Sequence, residues 1–516
     1  MYTGNVLDPI HGLIKISEIE KWILGQKPFN RLRRVKQNTF LYLVFPSSNH
    51  TRFEHSIGVM HLAHQIYLNS NNNYETGAYK KEKYKVKDTT DFKFISTREN
   101  LGKQEKIFVQ ELRLASLLHD VGHGPMSHKF DQYTITGRKL LEILKTDKAF
   151  EPYLKHFQDF LKDKEDKKID HELVSCVFII KIISQLKETA KTKNKFNKEQ
   201  TELINQLNPG RIIKMIEPEF NAVEKIENEN IDYTDYFNSI VSSFPLDADR
   251  MDYLYRDSYF SGVKYGLYDL SRLLMSFIPV KEDGKVTLAV KESGIDSVIR
   301  FIQSRTHLYN QVYFHKTNRS ANCMLDFACR KLDLKKPILE ATNFAEFESF
   351  YWNNSDELFL WNLLRSKITS QKESEVLEEL LNRKLWKRVF QKKIVVIPDD
   401  KFDVGRKLKD IKQNTSKAIS ELQEKGIDVA VDIFKNEVFK DYNKSKIKIA
   451  RKVDADYELV SDWKTFNKEL KILEYEVYII RIYLRRKFDN PKMFMRYKKS
   501  VLLEFKDVIE KLDQIK

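Results

Sequence analysis

Residues 117–125 have the sequence LLHDVGHGP and lie at the end of a run of apolar residues with helical spacing. Phe108, Leu112, Ala115 and Leu118 recur every three or four residues, which predicts an amphipathic helix that ends at the His-Asp pair. The glycines and the proline that follow stop the helix and let the backbone bend. This pattern predicts a helix whose end presents an imidazole and a carboxylate side by side.

The adjacent side chains of His119 and Asp120 can offer a nitrogen and an oxygen to one cation. Such donors suit manganese, iron, zinc or nickel better than a metal selected by thiolates. Because two ligands are too few, His55 is a candidate for a second imidazole, and residues 246–250, LDADR, contain candidates for a second carboxylate. A His-Asp pair also occurs by chance, and a lone histidine beside an apolar helix is usually structural. These residues alone leave both interpretations open.

The order of these motifs, a histidine, then His-Asp, then a distant aspartate, resembles the HD-domain metal-dependent phosphohydrolases. A closer resemblance, over about residues 6–330 less the inserts, is to the deoxynucleoside triphosphate triphosphohydrolases, which include the sterile-alpha-motif HD-domain type and bacterial deoxyguanosine triphosphatases. It rests on blocks that follow one another in the family's order: DPIHG (8–12), FNRLRRVKQ (29–37), FP (45–46), TRFEHSIGV (51–59), residues 119–128, DADRMDYLYRD (247–257) and YFHK (313–316). The resemblance implies metal-dependent hydrolysis of a deoxynucleoside triphosphate to deoxynucleoside and inorganic triphosphate.

The resemblance also implies roles for seven residues at the reaction centre. The metal ligands that it implies are His55, His119, Asp120 and Asp249. The acid/base group that it implies is His123, Asp131 and His171. A divalent ion (manganese, iron, zinc or nickel) would occupy the His/Asp site, and magnesium would accompany the triphosphate.

Eight further residues match the family's substrate contacts: Gln37, Arg52, His128, Arg250, Tyr253, Asp257, Arg305 and Tyr313. The three arginines and His128 would hold the triphosphate, and Arg250 stands where close relatives have lysine. Gln37, Asp257 and Tyr313 would bracket the deoxyribose, with Tyr313 closing the side on which a ribonucleotide carries its 2′-hydroxyl. Structural interpretations remain open, since tyrosines at helical spacing are usually core residues and isolated arginines usually pair with acids.

Composition narrows the class of protein. The 516 residues are 41% hydrophobic and 32% charged, which excludes broad disorder, and 89 Lys and Arg against 74 Asp and Glu give a net charge of +15 that attracts polyanions. Three cysteines cannot build a disulfide framework, and the first residues do not resemble a secretory signal, so we expect a reducing, cytoplasmic setting. The apolar run at 477–484 is too short to span a membrane.

We predict a mainly α fold: an HD-domain helical core with an N-terminal β-hairpin and a C-terminal mixed α/β lobe. Residues 1–330 would form the catalytic core, with the hairpin around DPIHG (8–12) and a lysine-rich insertion at 69–104. Residues 331–516, which contain short β-prone runs, would form a lobe with a regulatory or oligomerisation role.

The resemblance further implies a homo-oligomer, tetramer or hexamer, with an activator nucleotide between subunits. Arg33 matches an activator contact, but Gly25 and Asn30 replace residues of the sterile-alpha-motif type, and Gly25 offers no acceptor for a guanine. We therefore expect an activator that is not specifically guanine. Two alternatives remain: a phosphodiesterase or nuclease that binds single-stranded nucleic acid weakly through its positive charge, and a nucleotide-sensing antiviral defence protein.

Overall fold

A computed structural model describes most of the chain. The described residues are 2–83, 103–192, 195–220, 226–228, 231–242, 246–330, 339–365, 370–396, 401–437, 448–453, 456–460, 476–485 and 490–515. Helices make up 62% of the structure, so the fold is mainly α, as predicted. No helix in these ranges is both long and apolar enough to cross a membrane.

The described residues form α-helices, short 3₁₀ or π-helical turns, and β-strands. The α-helices are Glu18–Leu24, Lys27–Asn30, Arg52–Lys83, Lys103–Leu118, Gly137–Leu144, Leu154–Leu161, His171–Thr192, Lys198–Gln206, Pro209–Ile216, Thr234–Val241, Ala248–Ser261, Leu270–Leu274, Ile295–Leu308, Lys316–Cys329, Phe344–Asn353, Asp356–Arg365, Gln371–Leu381, Lys401–Glu424, Pro491–Glu504 and Lys506–Asp513. Short 3₁₀ turns lie at Arg31–Arg34, Leu41–Leu43, Ser127–Tyr133, Lys148–Tyr153 and Glu292–Gly294, and a π-helical turn at Tyr309–Tyr313. The strands are Tyr2–Asp8, Gly12–Ser17, Glu227–Asn228, Ile231–Asp232, Phe277–Glu282, Lys285–Lys291, Lys387–Val396, Val429–Glu437, Lys448–Val453, Asp456–Val460 and Glu476–Leu484.

The predicted N-terminal hairpin is confirmed. Strands Tyr2–Asp8 and Gly12–Ser17 are antiparallel, and Asp8 lies opposite Gly12. In the turn, Oδ1 of Asp8 accepts hydrogen bonds from the backbone N–H groups of Ile10 (2.8 Å) and His11 (2.9 Å). The carboxylate thus supplies the turn with acceptors that the backbone lacks there.

The helix Arg52–Lys83 packs against the helices Lys103–Leu118 and Ala248–Ser261. Gly58 permits the close approach of helix Ala248–Ser261, because a Cβ at Gly58 would lie 2.0 Å from Oδ1 of Asp252. Gly122 does the same after the His-Asp pair, since its Cβ would lie 2.2 Å from the carbonyl oxygen of His171. Both glycines therefore bring histidine-bearing segments next to their partners.

Two further sheets are built from strands between Glu227 and Leu484. In one, the strand order is Asp456–Val460, Lys448–Val453, Lys285–Lys291, Ile231–Asp232 and Glu227–Asn228, with Phe277–Glu282 also paired to Lys285–Lys291. In the other, Glu476–Leu484 is the centre of an antiparallel sheet between Lys387–Val396 and Val429–Glu437. The antiparallel sheet and strands Lys448–Val453 and Asp456–Val460 confirm the α/β character predicted for the C-terminal lobe. The other four strands lie in the segment predicted as the helical core.

The insertion predicted at 69–104 stays a prediction, and helices cover both of its ends in the described residues. The helix Arg52–Lys83 continues through its first part, because polar side chains there find tertiary partners. Ser70 Oγ lies 2.7 Å from the Tyr236 hydroxyl, and Nδ2 of Asn73 donates to the carbonyl oxygens of Met275 (3.0 Å) and Phe277 (2.8 Å). Helix Lys103–Leu118 takes up its last residues, and the rest of the predicted insertion, 84–102, lies outside the described residues.

The domain boundary at residue 330 stays a prediction. One hydrophobic core contains buried side chains from Ile14 through Trp386, joined by Ile449 and Tyr483. A second core contains residues from Val389 onward and lies under the three-stranded sheet. Buried apolar contacts therefore continue from the HD core well into the segment that we assigned to the C-terminal lobe.

Candidate metal centre and active site

The four predicted metal ligands lie together at the junction of three helices. Nε2 of His55 lies 3.0 Å from Oδ1 of Asp249 and 3.6 Å from Oδ2 of Asp120. Nε2 of His119 lies 3.5 Å from Oδ1 of Asp120 and 3.6 Å from Oδ1 of Asp249. The donor atoms of His55, His119 and Asp249 all lie within 4.8 Å of one another, a spacing that one metal ion can bridge.

His119 gives an independent test of whether a metal fits. Its Nδ1–H donates to the carbonyl oxygen of Ser116 at 2.8 Å, which fixes the tautomer and leaves Nε2 as an acceptor. Nε2 is buried and has no hydrogen-bond partner among the described residues, although it faces two carboxylates. A buried unpaired acceptor beside carboxylates fits a cation, so the residues present match a divalent metal site.

The candidate ligand His55 is held from behind by a carboxylate. Its Nδ1–H donates to Oδ2 of Asp252 at 2.7 Å, which directs Nε2 toward Asp249. Burial lowers the pKa of His55, but its hydrogen bonds to Asp249 and Asp252 outweigh this and raise the pKa to about 10. Asp252 is itself held by Arg256 (2.7 and 2.9 Å) and by His11 (2.6 Å). A carboxylate behind a ligating histidine orients the ring and strengthens its donor.

We expect Asp252→Asn to weaken metal affinity roughly 10- to 100-fold, because the amide is a poorer acceptor for the His55 Nδ1–H. Competition with a graded series of chelators, read by elemental analysis, measures this affinity. Asp8→Asn is the matched control, since Asp8 also binds Arg256 (2.9 Å) but makes no contact with His55 in the described structure. Equal affinities in wild type and Asp252→Asn would contradict this role.

Asp120 is stabilised as a carboxylate by an arginine and two imidazoles. Arg52 donates from Nη1 to its Oδ2, and Nε2 of His123 lies 3.2 Å from its Oδ1. Burial raises the pKa of Asp120, but Arg52, His119 and His123 outweigh burial and hold that pKa well below its ordinary value. Burial likewise raises the pKa of Asp249, whereas the imidazoles of His119 and His55 lower it overall. Both carboxylates are therefore ionised at neutral pH, as metal ligands must be.

Two of the predicted acid/base residues, His123 and His171, form a histidine cluster with His128, a predicted substrate contact, next to Asp120. The rings of His123 and His171 are stacked, with centroids 3.7 Å apart and planes at 13°. Nδ1 of His171 lies 3.0 Å from Oδ2 of Asp131. Imidazole lone pairs lie in the ring plane, so parallel rings cannot both direct a nitrogen at one ion without rotating. The stacking therefore favours proton transfer over a second metal here.

The two stacked imidazoles have pKa values shifted in opposite directions. Burial, Arg52 and His171 hold the pKa of His123 well below its ordinary value, so its ring is neutral at pH 7. Burial also lowers the pKa of His171, but the hydrogen bond with Asp131 outweighs it and raises the pKa overall. Groups whose environments separate their pKa values in this way are suited to opposite acid and base roles.

A cavity of about 710 Å³ extends from the metal ligands. All eight predicted substrate residues line it: Gln37, Arg52, His128, Arg250, Tyr253, Asp257, Arg305 and Tyr313. His119, Asp120, Asp249, His123 and His171 line the same cavity, whereas His55 and Asp131 lie behind it and contact it through Asp249 and His171. The volume lies in the range of small-molecule sites.

At one end of the cavity, Asp257 is held by three donors. Oδ1 accepts from Nε2 of His50 (2.6 Å), and Oδ2 accepts from Nδ2 of Asn38 (2.9 Å) and from the Tyr313 hydroxyl. We did not predict His50 or Asn38, although both directly adjoin the blocks FNRLRRVKQ and TRFEHSIGV. Their position next to these blocks was the available signal.

Two of the predicted phosphate-binding arginines are paired with acids in this structure. Arg52 binds Asp120, and Arg250 binds Asp247, the N-cap residue of helix Ala248–Ser261. Nε of Arg305 lies 3.4 Å from the Tyr253 hydroxyl, and its guanidinium lies over the Tyr309 ring at 4.8 Å. A phosphate would therefore meet Arg305 stacked on an aromatic face, with Arg250 and Arg52 at the cavity wall.

Two family models match the chain: the HD domain over residues 52–217 and an HD associated region over residues 268–486. The chain therefore contains an HD domain followed by an HD associated region, and HD domains belong to a superfamily of metal-dependent hydrolases. Asp249 lies between the two matched regions, whereas Arg305 and Tyr313 lie inside the second.

Comparison with curated proteins confirms the predicted resemblance. An uncharacterized protein of Methanocaldococcus jannaschii is 28% identical over 390 residues, which is 74% of this chain and 59% of that protein. An uncharacterized protein of Bacillus subtilis is 29% identical over 320 residues, 62% of this chain and 53% of that protein. Deoxynucleoside triphosphate triphosphohydrolase SAMHD1 of Gallus gallus is 25% identical over 409 residues, 77% of this chain and 58% of that protein. The chain thus spans less than two thirds of these relatives.

Proposed function

We propose that this protein hydrolyses deoxynucleoside triphosphates to deoxynucleoside and inorganic triphosphate. One observation carries the proposal. His119, Asp120 and Asp249 of the metal-donor group (His55, His119, Asp120 and Asp249), the histidine cluster and the Asp257–Tyr313 pair line a single cavity. The activity named for the Gallus gallus relative supports the same substrate class.

His55, His119, Asp120 and Asp249 would hold the divalent ion. When bound, such an ion polarises a phosphoryl oxygen and lowers the pKa of a coordinated water. The hydrolysis breaks the bond between the α-phosphorus and the 5′-oxygen, adds the water oxygen to phosphorus, and requires one proton for the leaving 5′-oxygen. His123, neutral at pH 7, would accept a proton, and His171, with its raised pKa, would donate one.

The arginines would bind the triphosphate as a unit, which favours release of all three phosphates together. Arg305 is preorganised by its stacking on Tyr309. Arg52 would contact the substrate while paired with Asp120, a candidate metal ligand, and Arg250 would do so while paired with Asp247. Gln37 and Asp257 would bind the sugar hydroxyl at the far end of the cavity. Manganese, iron, zinc and nickel all suit the His/Asp donors, and magnesium would accompany the triphosphate.

Incubation of the protein with each deoxynucleotide and ribonucleotide, in manganese and in magnesium, tests the proposal. Anion-exchange chromatography and ³¹P NMR should show inorganic triphosphate and deoxynucleoside in equal amounts. Diphosphate or monophosphate products would contradict the proposal. Fragments from a single-stranded oligonucleotide, incubated in the same way, would also contradict it and would favour the phosphodiesterase or nuclease alternative.

We expect a homo-oligomer whose activator is not specifically guanine. Arg33 lies over the Phe53 ring, with 3.4 Å from its guanidinium carbon to the ring centroid, and Gly25 has no side-chain acceptor for a guanine. Light scattering with and without each nucleotide gives the assembly size, and rate assays on nucleotide mixtures give the activation. A monomer under all conditions, or activation by guanine nucleotides alone, would contradict this expectation.

A further inference from the structure

Asp356 is a buried acid from the HD-associated region that reaches the wall of the active site. It begins helix Asp356–Arg365 and is 4% exposed. Its Oδ1 accepts from the backbone N–H of Met126 at 2.7 Å, and its Oδ2 accepts from the backbone N–H of Lys36 at 2.9 Å. Burial raises its pKa to about 6, so the carboxyl remains ionised at neutral pH and both oxygens can accept.

The segment that it binds on one side has an unusual backbone. Met126 and Ser127 have φ angles of 65° and 51°, in the left-handed region, although neither is glycine. Two successive side-chain-bearing residues in this region persist only where the surroundings hold them there. His128, a residue of the histidine cluster, follows directly.

The two segments that Asp356 binds also bind each other. Oγ of Ser127 donates to the carbonyl oxygen of Lys36 at 2.9 Å and accepts from Nε of Arg52 at 2.9 Å. Arg52 in turn donates to Asp120. Lys36 is thus held at its N–H by Asp356 and at its carbonyl by Ser127, immediately before Gln37.

We propose that Asp356 is a positioning residue of the active site, which holds the segment before Gln37 and the left-handed turn before His128 in one fixed arrangement. In the described structure, Asp356 contacts neither the candidate acid/base side chains nor a candidate metal ligand. Its influence passes through Ser127 to Arg52 and, through the chain itself, to Gln37 and His128. Through this contact the HD-associated region, which also supplies Arg305 and Tyr313 to the cavity, holds segments before and within the HD domain in place.

Asp356→Asn tests the proposal, because the amide keeps the shape but offers one acceptor where two N–H groups need one each. We expect the backbone amides of Lys36 and Met126 to exchange with deuterium faster, measured by mass spectrometry of peptides that contain them. On the proposed function, we also expect kcat/KM to fall about tenfold or more, since small displacements of substrate-contacting groups have large kinetic effects.

Glu373→Gln is the matched control, a fully buried acid paired with Nε of Arg330 (3.1 Å) and outside the cavity lining. It should lower the melting temperature without changing kcat/KM or exchange at Lys36 and Met126. An equal loss of activity in both variants, or unchanged exchange in Asp356→Asn, would overturn the proposal. If Asp356→Asn does not fold, Asp356→Ala replaces it, with formate expected to restore activity and amide protection; no restoration would count against the role. A wild type inactive on every nucleotide would defeat the proposed function, while the exchange data would still decide the role of Asp356.

Discussion

Asp120→Ala is expected to abolish both bound divalent metal and triphosphate release. Asp120 supplies a carboxylate to the metal-donor group and is the partner of Arg52, so its loss removes a ligand and leaves a buried cation beside the site. Since a metal stabilises the transition state by several kcal/mol, we expect turnover to fall at least about a thousandfold. Elemental analysis of the purified variant and an assay for inorganic triphosphate measure the two effects.

Asp131→Ala is the matched control for this experiment. Asp131 contacts His171 at 3.0 Å but lies outside the metal-donor group. This variant should keep its metal and lose activity through the histidine cluster alone. If Asp120→Ala retained full metal content and turnover, the ligand assignment would be wrong.

The sequence was sufficient to predict elements whose signals are local. The helical spacing before LLHDVGHGP corresponds to helix Lys103–Leu118, and DPIHG corresponds to the turn of the first hairpin. The hairpin of strands Phe277–Glu282 and Lys285–Lys291 was missed, although Asp283-Gly284 is a strong turn signal between them. The helix Arg52–Lys83 extends into the predicted insertion, where Asn73 and Ser70 gain partners that lie 166 to 204 residues away in the chain.

Candidate site residues were predictable where they lie in the sequence blocks of the family. They were not predictable where they depend on contacts between residues far apart in the sequence. Asp252 lies three residues after Asp249 on one helix face, so its position beside His55 had a local signal that we did not use. Asp356 had none, because its partners Lys36 and Met126 are 320 and 230 residues away. Such a contact depends on how the HD-associated region packs on the HD domain, which no periodicity encodes.

On the proposed function, wild-type protein is expected to cleave a deoxynucleotide at least about 100-fold faster than the matching ribonucleotide, because Tyr313 would occupy the space beside the sugar. Its hydroxyl donates to Asp257, and its ring packs edge-on against Tyr309 with centroids 4.8 Å apart. Asp257 cannot easily give way, since His50 and Asn38 hold it at 2.6 and 2.9 Å. A 2′-hydroxyl would therefore meet a fixed aromatic ring that offers it no compensating hydrogen bond.

Tyr313→Ala should narrow this difference by opening space on the 2′ side, and Tyr313→Phe separates the two parts of the argument. The phenylalanine keeps the ring but cannot donate to Asp257, so discrimination should persist while the KM for deoxynucleotides rises. Rates of triphosphate release from matched nucleotide pairs, compared as kcat/KM, measure the effect in all three proteins. Equal wild-type rates on a deoxynucleotide and its ribonucleotide would show that Tyr313 does not select the sugar. If Tyr313→Phe loses discrimination between the two sugars, the Tyr313 hydroxyl rather than the ring selects the sugar, because this variant lacks only the hydrogen bond with Asp257.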